Sequence, residues 1–217
     1  MNCASLTHHA IFDGITADEI EAMLPCLEAH TRTYDKGEAI LRAGDEVRYL
    51  GLVLEGSVNI VATYYWGASD IFVHVAPGQI FGEAYAVSPQ QKMLVDAVAA
   101  QPTTVLFLNA EKLLTVCGRS CAQHHRLIQN LVRISALKNL ALSRRIMHTA
   151  AKTIRGRVMS YLSEQAIEHR SSSFAIPFSR QELANYLGVD RSALSAELSR
   201  MRRDGLIAFR KNHFELL

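Results

Sequence analysis

Hydrophobic and polar residues follow three different patterns along the chain. Between residues 5 and 30, apolar side chains recur at helical spacing behind Thr16 and Glu19, a pair that forms a capping box at a helix start. From 31 to 108, short runs rich in Val, Ile, Leu, Tyr and Phe alternate with glycine-bearing turns roughly every 10 residues. Such turn spacing is typical of all-β sandwiches and barrels, so we expect a β-barrel after a short helical start.

The third pattern predicts one long helix. Residues 119–149 contain no Gly or Pro, and their apolar residues recur at steps of three and four. A helix of about 30 residues would be about 45 Å long, which suits a two-stranded coiled coil or a spine between domains. Polar residues interrupt the stripe at Asn130, Lys138 and Arg145. The apolar stripe consists of Leu127, Leu131, Ile134, Leu137, Ala141 and Ile146.

The net charge of +2 over 217 residues is unevenly distributed. Residues 1–117 contain 6 basic and 14 acidic side chains, whereas residues 118–147 contain 6 basic and no acidic ones. Residues 148–217 contain 11 basic and 7 acidic side chains. We therefore expect only the second half to meet a polyanion. The basic face of the long helix also needs an acidic neighbour, for which the acidic barrel is the candidate.

The last part of the chain predicts two short helices joined by a tight turn. Ser179 and Glu182 form a second capping box, Gly188 suits the left-handed end of that helix, and Asp190 suits the cap of the next. Residues 206–216 then alternate apolar and polar positions around a central turn, which predicts a two-stranded wing. Two helices around a glycine turn, followed by a wing, are typical of a winged helix-turn-helix that binds DNA.

The second of these helices is expected to enter the major groove with its N-terminal half on base edges. Arg191 is the candidate for a bidentate contact with guanine, and Ser192 and Ser195 can bond either bases or phosphates. The full set of predicted DNA contacts is Arg180, Gln181, Arg191, Ser192, Ser195, Ser199, Arg200, Lys211 and His213.

The order of these segments and several short motifs resemble the Crp/Fnr family of bacterial transcription regulators. The motifs are Lys36-Gly37-Glu38, Gly44-Asp45, Leu54-Glu55-Gly56, Pro77-Gly78 and Phe81-Gly82-Glu83. The resemblance implies an α+β homodimer, in which each subunit has a cyclic-nucleotide-binding-like β-barrel of jelly-roll type, a long central dimerisation helix and a C-terminal winged helix-turn-helix. We place the effector domain at 1–117, the dimerisation helix at 118–149 and the DNA-binding domain at 150–217.

The phosphate-binding part of the barrel departs from the family pattern. In members that bind nucleotides, a Gly-Glu pair is followed about ten residues later by Arg and Ser or Thr, and the Arg neutralises the cyclic phosphate. Here Gly82 and Glu83 are present, but Met93 and Leu94 stand at the later place. Because an apolar pair cannot compensate a buried anion, we expect an unidentified effector other than cyclic AMP or GMP. The expected pocket comprises Gly82, Glu83, Ala84, Met93, Leu94, Leu142 and Ser143.

The recognition helix also departs from the family, because many members have an arginine where Ala196 stands here. The target half-site is therefore expected to differ from the family's best-known one. The alternative function is an effector-binding module that has lost specific DNA binding.

Redox and metal cofactors are not expected. An iron–sulfur cluster of the family's oxygen-responsive branch needs about three closely spaced N-terminal cysteines, and only Cys3 and Cys26 lie there. Cys117 and Cys121 are four residues apart and are interpreted as buried structural residues, with metal binding or redox sensing as the alternative. Histidines are interpreted as hydrogen-bonded or exposed rather than as haem ligands, the candidates being His74, His124 and His125.

Catalysis and membrane association are not indicated either. Ser171–Ser173 lack the glycines of a nucleophile elbow, and no phosphate loop is present. No apolar run approaches the ~18 residues of a membrane span, and the first residues do not form a signal peptide. We expect a cytoplasmic protein whose partners are double-stranded DNA, a second copy of itself, a small effector and RNA polymerase.

Overall fold

The computed structural model describes residues 3–67, 69–88, 90–115 and 122–217. The chain folds as two compact units, Met1–Ala136 and Leu137–Leu217. The boundary falls inside the long helix, so that helix contributes to both units. The division at residues 117 and 149 stays a prediction.

The first unit begins with short helices. Helix α1 spans Cys3–Leu6, a 3-10 turn spans Ala10–Phe12, and α2 spans Ala17–Met23. The predicted capping box of α2 is present, with the Thr16 amide donating to Glu19 at 2.9 Å and the Glu19 amide donating to Thr16 Oγ1 at 3.4 Å.

Two antiparallel four-stranded sheets follow, with the orders β1-β8-β3-β6 and β2-β7-β4-β5. Side chains from both sheets meet in one apolar cluster, in which Val53 and Val105 pack with Val58 and Ala97. The predicted barrel is therefore a two-sheet jelly roll, and the described strands form no closed ring. The strands are β1 (His30–Tyr34), β2 (Ala39–Leu41), β3 (Tyr49–Glu55), β4 (Val58–Thr63), β5 (Ser69–Val75), β6 (Ile80–Phe81), β7 (Asp96–Ala99) and β8 (Thr103–Asn109).

Helix α3 (Glu83–Ala86) follows β6, and α4 (Ala110–Leu114) follows β8. The long helix α5 then spans Ala122–Thr149. No described helix is both long and apolar enough to cross a membrane.

The apolar stripe of α5 changes its surroundings along the helix. Leu127 and Leu131 are 0% and 4% exposed, because they pack into the core of the first unit with the N-terminal helices. Leu137 and Ile146 are 60% and 59% exposed. The stripe is therefore not one continuous seam, and its first two leucines are unavailable to a partner helix.

Side chains of α5 contact acidic residues of the N-terminal helical segment, and a contact of its basic face with the barrel stays a prediction. Arg133 pairs with Asp13 at 2.6 Å, and Gln123 donates to Glu19 at 2.9 Å. Asn130, which interrupts the stripe, is buried and donates to the backbone oxygens of Ile11 and Asp13. The first half of α5 is thus fastened to the N-terminal helical segment by an ion pair and by hydrogen bonds.

The second unit contains the end of α5 and a small α+β domain. Its helices are α6 (Ile154–His169), α7 (Arg180–Leu187) and α8 (Arg191–Arg203). A three-stranded sheet of order β10-β11-β9 is formed by β9 (Ser173–Ala175), β10 (Ile207–Arg210) and β11 (His213–Leu216). The core lies between these helices and the sheet, and includes Leu183, Leu198 and Phe214, each at most 1% exposed.

Candidate DNA interface and effector site

The turn between α7 and α8 has the geometry that the sequence predicts. Ser179 and Glu182 exchange both hydrogen bonds of the capping box, at 2.7 and 3.3 Å. Gly188 ends α7 with φ +63°, a left-handed conformation that suits glycine. The carbonyls of Leu187 and Gly188 accept hydrogen bonds from Arg157 at 3.0 and 3.1 Å. Arg157, which belongs to α6, therefore supplies hydrogen-bond donors to two carbonyls at the C-terminal end of α7.

Asp190 fixes the start of α8. Its carboxylate accepts the amide of Ala193 at 2.8 Å and also the hydroxyl of Ser192. These hydrogen bonds, that from Ser192 first, lower the pKa of Asp190 below its usual range. The buried stripe of α8 includes Leu194 and Leu198, so the opposite face of the helix is turned to solvent.

Arg191, Ser192 and Ser199 are exposed on this open face, and Ser195 is half-buried beside them. Ser195 donates to the Arg191 carbonyl, and Ser199 donates to the Ser195 carbonyl, both at 2.9 Å. The hydroxyl protons are thus engaged along the helix, while the serine oxygens can still accept. Within the described part of the chain, the Arg191 side chain has no ion pair, which leaves its guanidinium available for a base edge.

Arg200 is differently placed, because an ion-pair network holds it. Its guanidinium lies 3.0 Å from Glu197, which also pairs with Arg155 at 2.7 Å. Arg155 reaches Asp204 at 2.7 Å as well. This network joins α6 to the far end of α8, and no sequence motif points to it.

The wing turn lies between β10 and β11. Phe209 faces Phe214 and Arg210 faces His213 across the hairpin, with Lys211 and Asn212 in the turn. Lys211 and His213 are exposed, as a phosphate contact requires.

The two remaining predicted contacts lie at the start of α7. Gln181 is exposed and donates to Asn185 at 2.9 Å. Arg180 is half-buried against Phe209 and Phe214 of the wing.

The predicted effector pocket is built around the start of α3. Gly82 precedes the helix with φ +73°, and a Cβ at this position would lie 3.1 Å from Leu41 and 3.8 Å from Val47. Glu83 is 9% exposed, whereas Ala84 is exposed. The backbone here approaches apolar neighbours closely, and glycine is the residue that fits.

Met93 and Leu94 do not form one wall of a pocket. Met93 is 4% exposed within the core, and its backbone pairs with the turn at Gly44 and Asp45. Leu94 is 81% exposed, and its amide donates to the Tyr85 hydroxyl of α3 at 3.4 Å. Met93, which stands where the family resemblance implies an arginine in nucleotide-binding members, is thus apolar and buried. The two later pocket residues, Leu142 and Ser143, are exposed on α5 in the second unit.

A cavity of about 690 Å³ lies elsewhere on the first unit. Its polar lining includes Glu28, Tyr49 and Asn109. The Glu28 carboxylate accepts hydrogen bonds from the Tyr49 hydroxyl at 3.2 Å and from the Asn109 side-chain amide at 2.6 Å. None of the predicted pocket residues lines this cavity.

Two of the three candidate histidines have polar partners, and the third, His125, is exposed. His124 is buried, with Nε2 at 2.9 and 3.1 Å from the carbonyls of Lys112 and Leu113. His74 lies 2.8 Å from Asn59. The described residues contain no group of three side chains that could hold a metal ion.

Two of the four cysteines lie in the described part of the chain. Cys3 is half-buried and Cys26 is exposed, both as free thiols. Cys117 and Cys121 lie outside the described residues.

Comparison with protein families gives two matches that follow the order of the fold. The family described as Cyclic nucleotide-binding domain matches residues 31–120, and the Crp-like helix-turn-helix domain matches residues 156–217. The chain belongs to the Crp/Fnr family of transcription regulators.

Curated relatives are similar over nearly the whole chain of this Crp/Fnr regulator. The transcriptional activator protein FnrL of Cereibacter sphaeroides is 23% identical, over 94% of this chain and 82% of its own length. The transcriptional regulatory protein btr of Bordetella pertussis is 23% identical, over 100% of this chain and 89% of its own.

Solved structures share the fold at low identity. CprK complexed with OCPA is 18% identical with a TM-score of 0.65, covering 90% of this chain and 89% of its own. The regulator CLP of Xanthomonas campestris is 22% identical with a TM-score of 0.59, covering 93% of this chain and 99% of its own. These structures show the fold alone. By its two family matches and its curated relatives, the chain is a Crp/Fnr-type regulator with an effector domain and a helix-turn-helix DNA-binding domain, and nothing favours the alternative in which DNA binding is lost.

Proposed function

We propose that this Crp/Fnr regulator binds double-stranded DNA as a homodimer and that a small molecule in the first unit controls the binding. The observation that carries the proposal is the α7–turn–α8 arrangement, closed by Gly188 and followed by a wing with exposed Lys211 and His213. It supports insertion of α8 into the major groove.

The proposed contacts fall into two classes. Arg191 would read guanine through its two parallel donors, because its guanidinium is exposed at the N-terminal turn of α8. Ser192 and Ser195 would accept or donate at neighbouring bases. The proposed phosphate contacts, which set position rather than sequence, are Gln181, Ser199, Arg200, Lys211 and His213.

Exposed apolar side chains on α5 support the homodimer. Large apolar residues remain uncovered along most of this helix, and a helix with such a face is stabilised by a second helix. They are Val132 at 62%, Leu137 at 60%, Leu140 at 57%, Leu142 at 54%, Ile146 at 59% and Met147 at 67% exposure.

The proposed effector is neither cyclic AMP nor cyclic GMP. Buried Met93 supplies no charge where the cyclic phosphate would need a cation, and Gly82 is bordered by Leu41 and Val47. Among proteins of this fold, CLP is described as responsive to c-di-GMP and CprK as complexed with OCPA. These descriptions support a fold that accepts several classes of effector.

RNA polymerase is a further proposed partner, since FnrL is named a transcriptional activator. A chromosomal target would also place the protein in the cytoplasm.

Selection from a random-sequence duplex library tests the proposal. The full chain, with and without small-molecule extract from bacterial cells, should enrich a motif with two half-sites related by two-fold symmetry. Affinity for that motif should fall steeply as salt rises, because phosphate contacts release counterions. Failure to enrich any sequence under both conditions would favour a protein that does not read DNA.

A further inference from the structure

Arg180, the first residue of α7, lies against the wing. Its Cζ is 5.2 Å from the ring centroid of Phe209 and 5.6 Å from that of Phe214. Its Nη2 donates to the carbonyl of Lys211 at 3.3 Å. One guanidinium therefore contacts both strands of the hairpin and the turn between them.

The aromatic pair beneath this guanidinium joins the wing to both helices of the helix-turn-helix. Phe209 and Phe214 face each other across the strands, with ring centroids 5.7 Å apart and planes at 27°. Arg202 of α8 places its Cζ 5.3 Å from the Phe209 ring. Because a cation within about 6 Å of a ring centroid is attracted to the ring, Phe209 is held by one arginine from each helix.

Burial separates Arg180 from the other basic residues of this surface. It is half-buried, and desolvation lowers its pKa from the ordinary value, although the group stays charged at neutral pH. Arg191 and Lys211 are exposed. Arg180 has thus already exchanged part of its hydration for contacts within the protein.

The turn that Arg180 reaches has a demanding backbone conformation. Lys211 has φ +56°, in the left-handed region that is unfavourable for residues with a Cβ. The next residue is fastened on the other side, because Asn212 donates to Ile176 O at 3.0 Å and accepts the Ile176 amide at 2.9 Å. Arg180 and Ile176, the residue that follows β9, therefore hold two neighbouring residues of one strained turn.

We propose that Arg180 is a positioning residue for the wing, which fixes the turn against α7 so that Lys211 meets the DNA backbone in a defined geometry. Arg180 then contributes to DNA affinity through Lys211 and does not itself contact a phosphate. The inference rests on the proposed DNA binding for its functional consequence, but the structural role is independent of it.

Replacement of Arg180 by lysine separates positioning from direct contact. Lysine keeps the positive charge that a phosphate needs, but it lacks the planar fork that lies over two rings and donates to a carbonyl. We expect Arg180→Lys and Arg180→Ala to weaken binding to the selected DNA by the same factor. The matched control is Arg210→Lys, exposed at the end of β10, which should stay close to the wild type.

A double-mutant cycle with Lys211→Gln tests whether Arg180 acts through the wing. If it does, Arg180→Ala should cost less than about twofold once Lys211→Gln is present, although it costs several-fold alone. A direct phosphate contact predicts additive losses, and each substitution would lower the salt slope by about 0.9. Additive losses, or wild-type affinity in Arg180→Lys, would overturn the proposal.

Hydrogen exchange on the full chain without DNA tests the structural role of Arg180 independently of DNA binding. Backbone amides of β10 and β11 should exchange faster in both Arg180 variants, while those of α6 stay as in the wild type. Unchanged wing exchange would overturn the positioning role. If the wild-type chain selects no DNA but the wing exchange rises as expected, the proposed function fails and the structural role of Arg180 stands.

Discussion

Nε2 of His148 lies 2.6 Å from a carboxylate oxygen of Glu164, and the imidazole is 3% exposed. The other ring nitrogen, Nδ1, lies 2.8 Å from the hydroxyl of Tyr186. His148 belongs to the last turn of α5, Glu164 to α6 and Tyr186 to α7. A single buried imidazole therefore joins the end of the long helix to two helices of the DNA-binding domain.

Removal of the Tyr186 hydroxyl should destabilise the second unit. In Tyr186→Phe the ring contacts remain, but Nδ1 of buried His148 loses its hydrogen-bond partner. An unsatisfied buried polar group costs about 1–3 kcal/mol, so urea unfolding of the full chain should show a loss of that size. Tyr65→Phe is the control, because Tyr65 is 104% exposed. Equal stability of the two variants would mean that the hydroxyl contributes nothing.

Arg191→Ala should reduce specific DNA binding more than non-specific binding. A bidentate contact with guanine discriminates by about 1–3 kcal/mol, which is about 5- to 150-fold in affinity. Titrations of the selected duplex and of a scrambled duplex at one salt concentration measure both. Arg203→Ala, exposed at the far end of α8, should weaken both duplexes alike. If Arg191→Ala lost the same affinity for both duplexes, Arg191 would be a phosphate contact and not a base contact.

Leu140→Glu should dissociate the proposed homodimer. Leu140 is 57% exposed on α5, so a charge there costs little in the monomer but would be buried between two helices. Light scattering at tens of micromolar protein should give twice the chain mass of 24.1 kDa for the wild type and one chain mass for the variant. Leu94→Glu, at an 81% exposed site of the first unit, is the control. A wild-type mass of one chain would contradict the dimer.

The stabilisation that the Asp190 cap gives to α8 should depend on pH. Its pKa is lowered below the ordinary 3.8 by hydrogen bonds from Ser192 and Ala193. The unfolded chain therefore takes up its proton first, and the stabilisation is present above pH 3.8 and is lost as pH falls through the lower folded pKa. The stability gap between the wild type and Asp190→Ala should be widest above pH 3.8 and should narrow below it.

Urea unfolding at several pH values measures this gap. Glu215→Ala, exposed on β11, serves as the control and should show no comparable narrowing. If the stability difference between the wild type and Asp190→Ala were constant from pH 6 to pH 2.5, the cap would not need the carboxylate charge.

Cyclic AMP should not bind the first unit. Met93 is buried in the core at the position where a cation would be required. Calorimetry of the full chain with cyclic AMP should therefore show no heat of binding at micromolar concentrations. In Met93→Arg the missing charge returns, and a gain of binding would show that this position alone excluded the nucleotide. Micromolar binding by the wild type would contradict the effector proposal.

The predictions that succeeded from the sequence concern residues close together in the chain. The capping boxes at Thr16 and Ser179 each join residues three positions apart, and Gly188 ends α7 by its own backbone preference. Such signals depend on local chemistry, which is why the helix-turn-helix and its wing can be located from the sequence alone.

The long helix shows where a local pattern is insufficient. Its periodicity predicts an apolar face, but Leu131 is buried at 4% exposure while Leu137, six residues further on, is 60% exposed. Which part of the face is covered depends on what packs there, and the N-terminal helices cover only the first part. The ion pair of Arg133 with Asp13 cannot be predicted from a local pattern for the same reason, because the two residues are 120 positions apart.

The sequence by itself determined the order of the domains, the caps and turns, and the absence of an arginine from the Met93–Leu94 position. Tertiary structure alone decided the contacts of Arg157, His148 and Arg180, whose partners are 30, 38 and 31 positions away. These side chains carry no local signature, because a hydrogen bond to a distant carbonyl or hydroxyl depends on how the chain folds and not on neighbouring residue types.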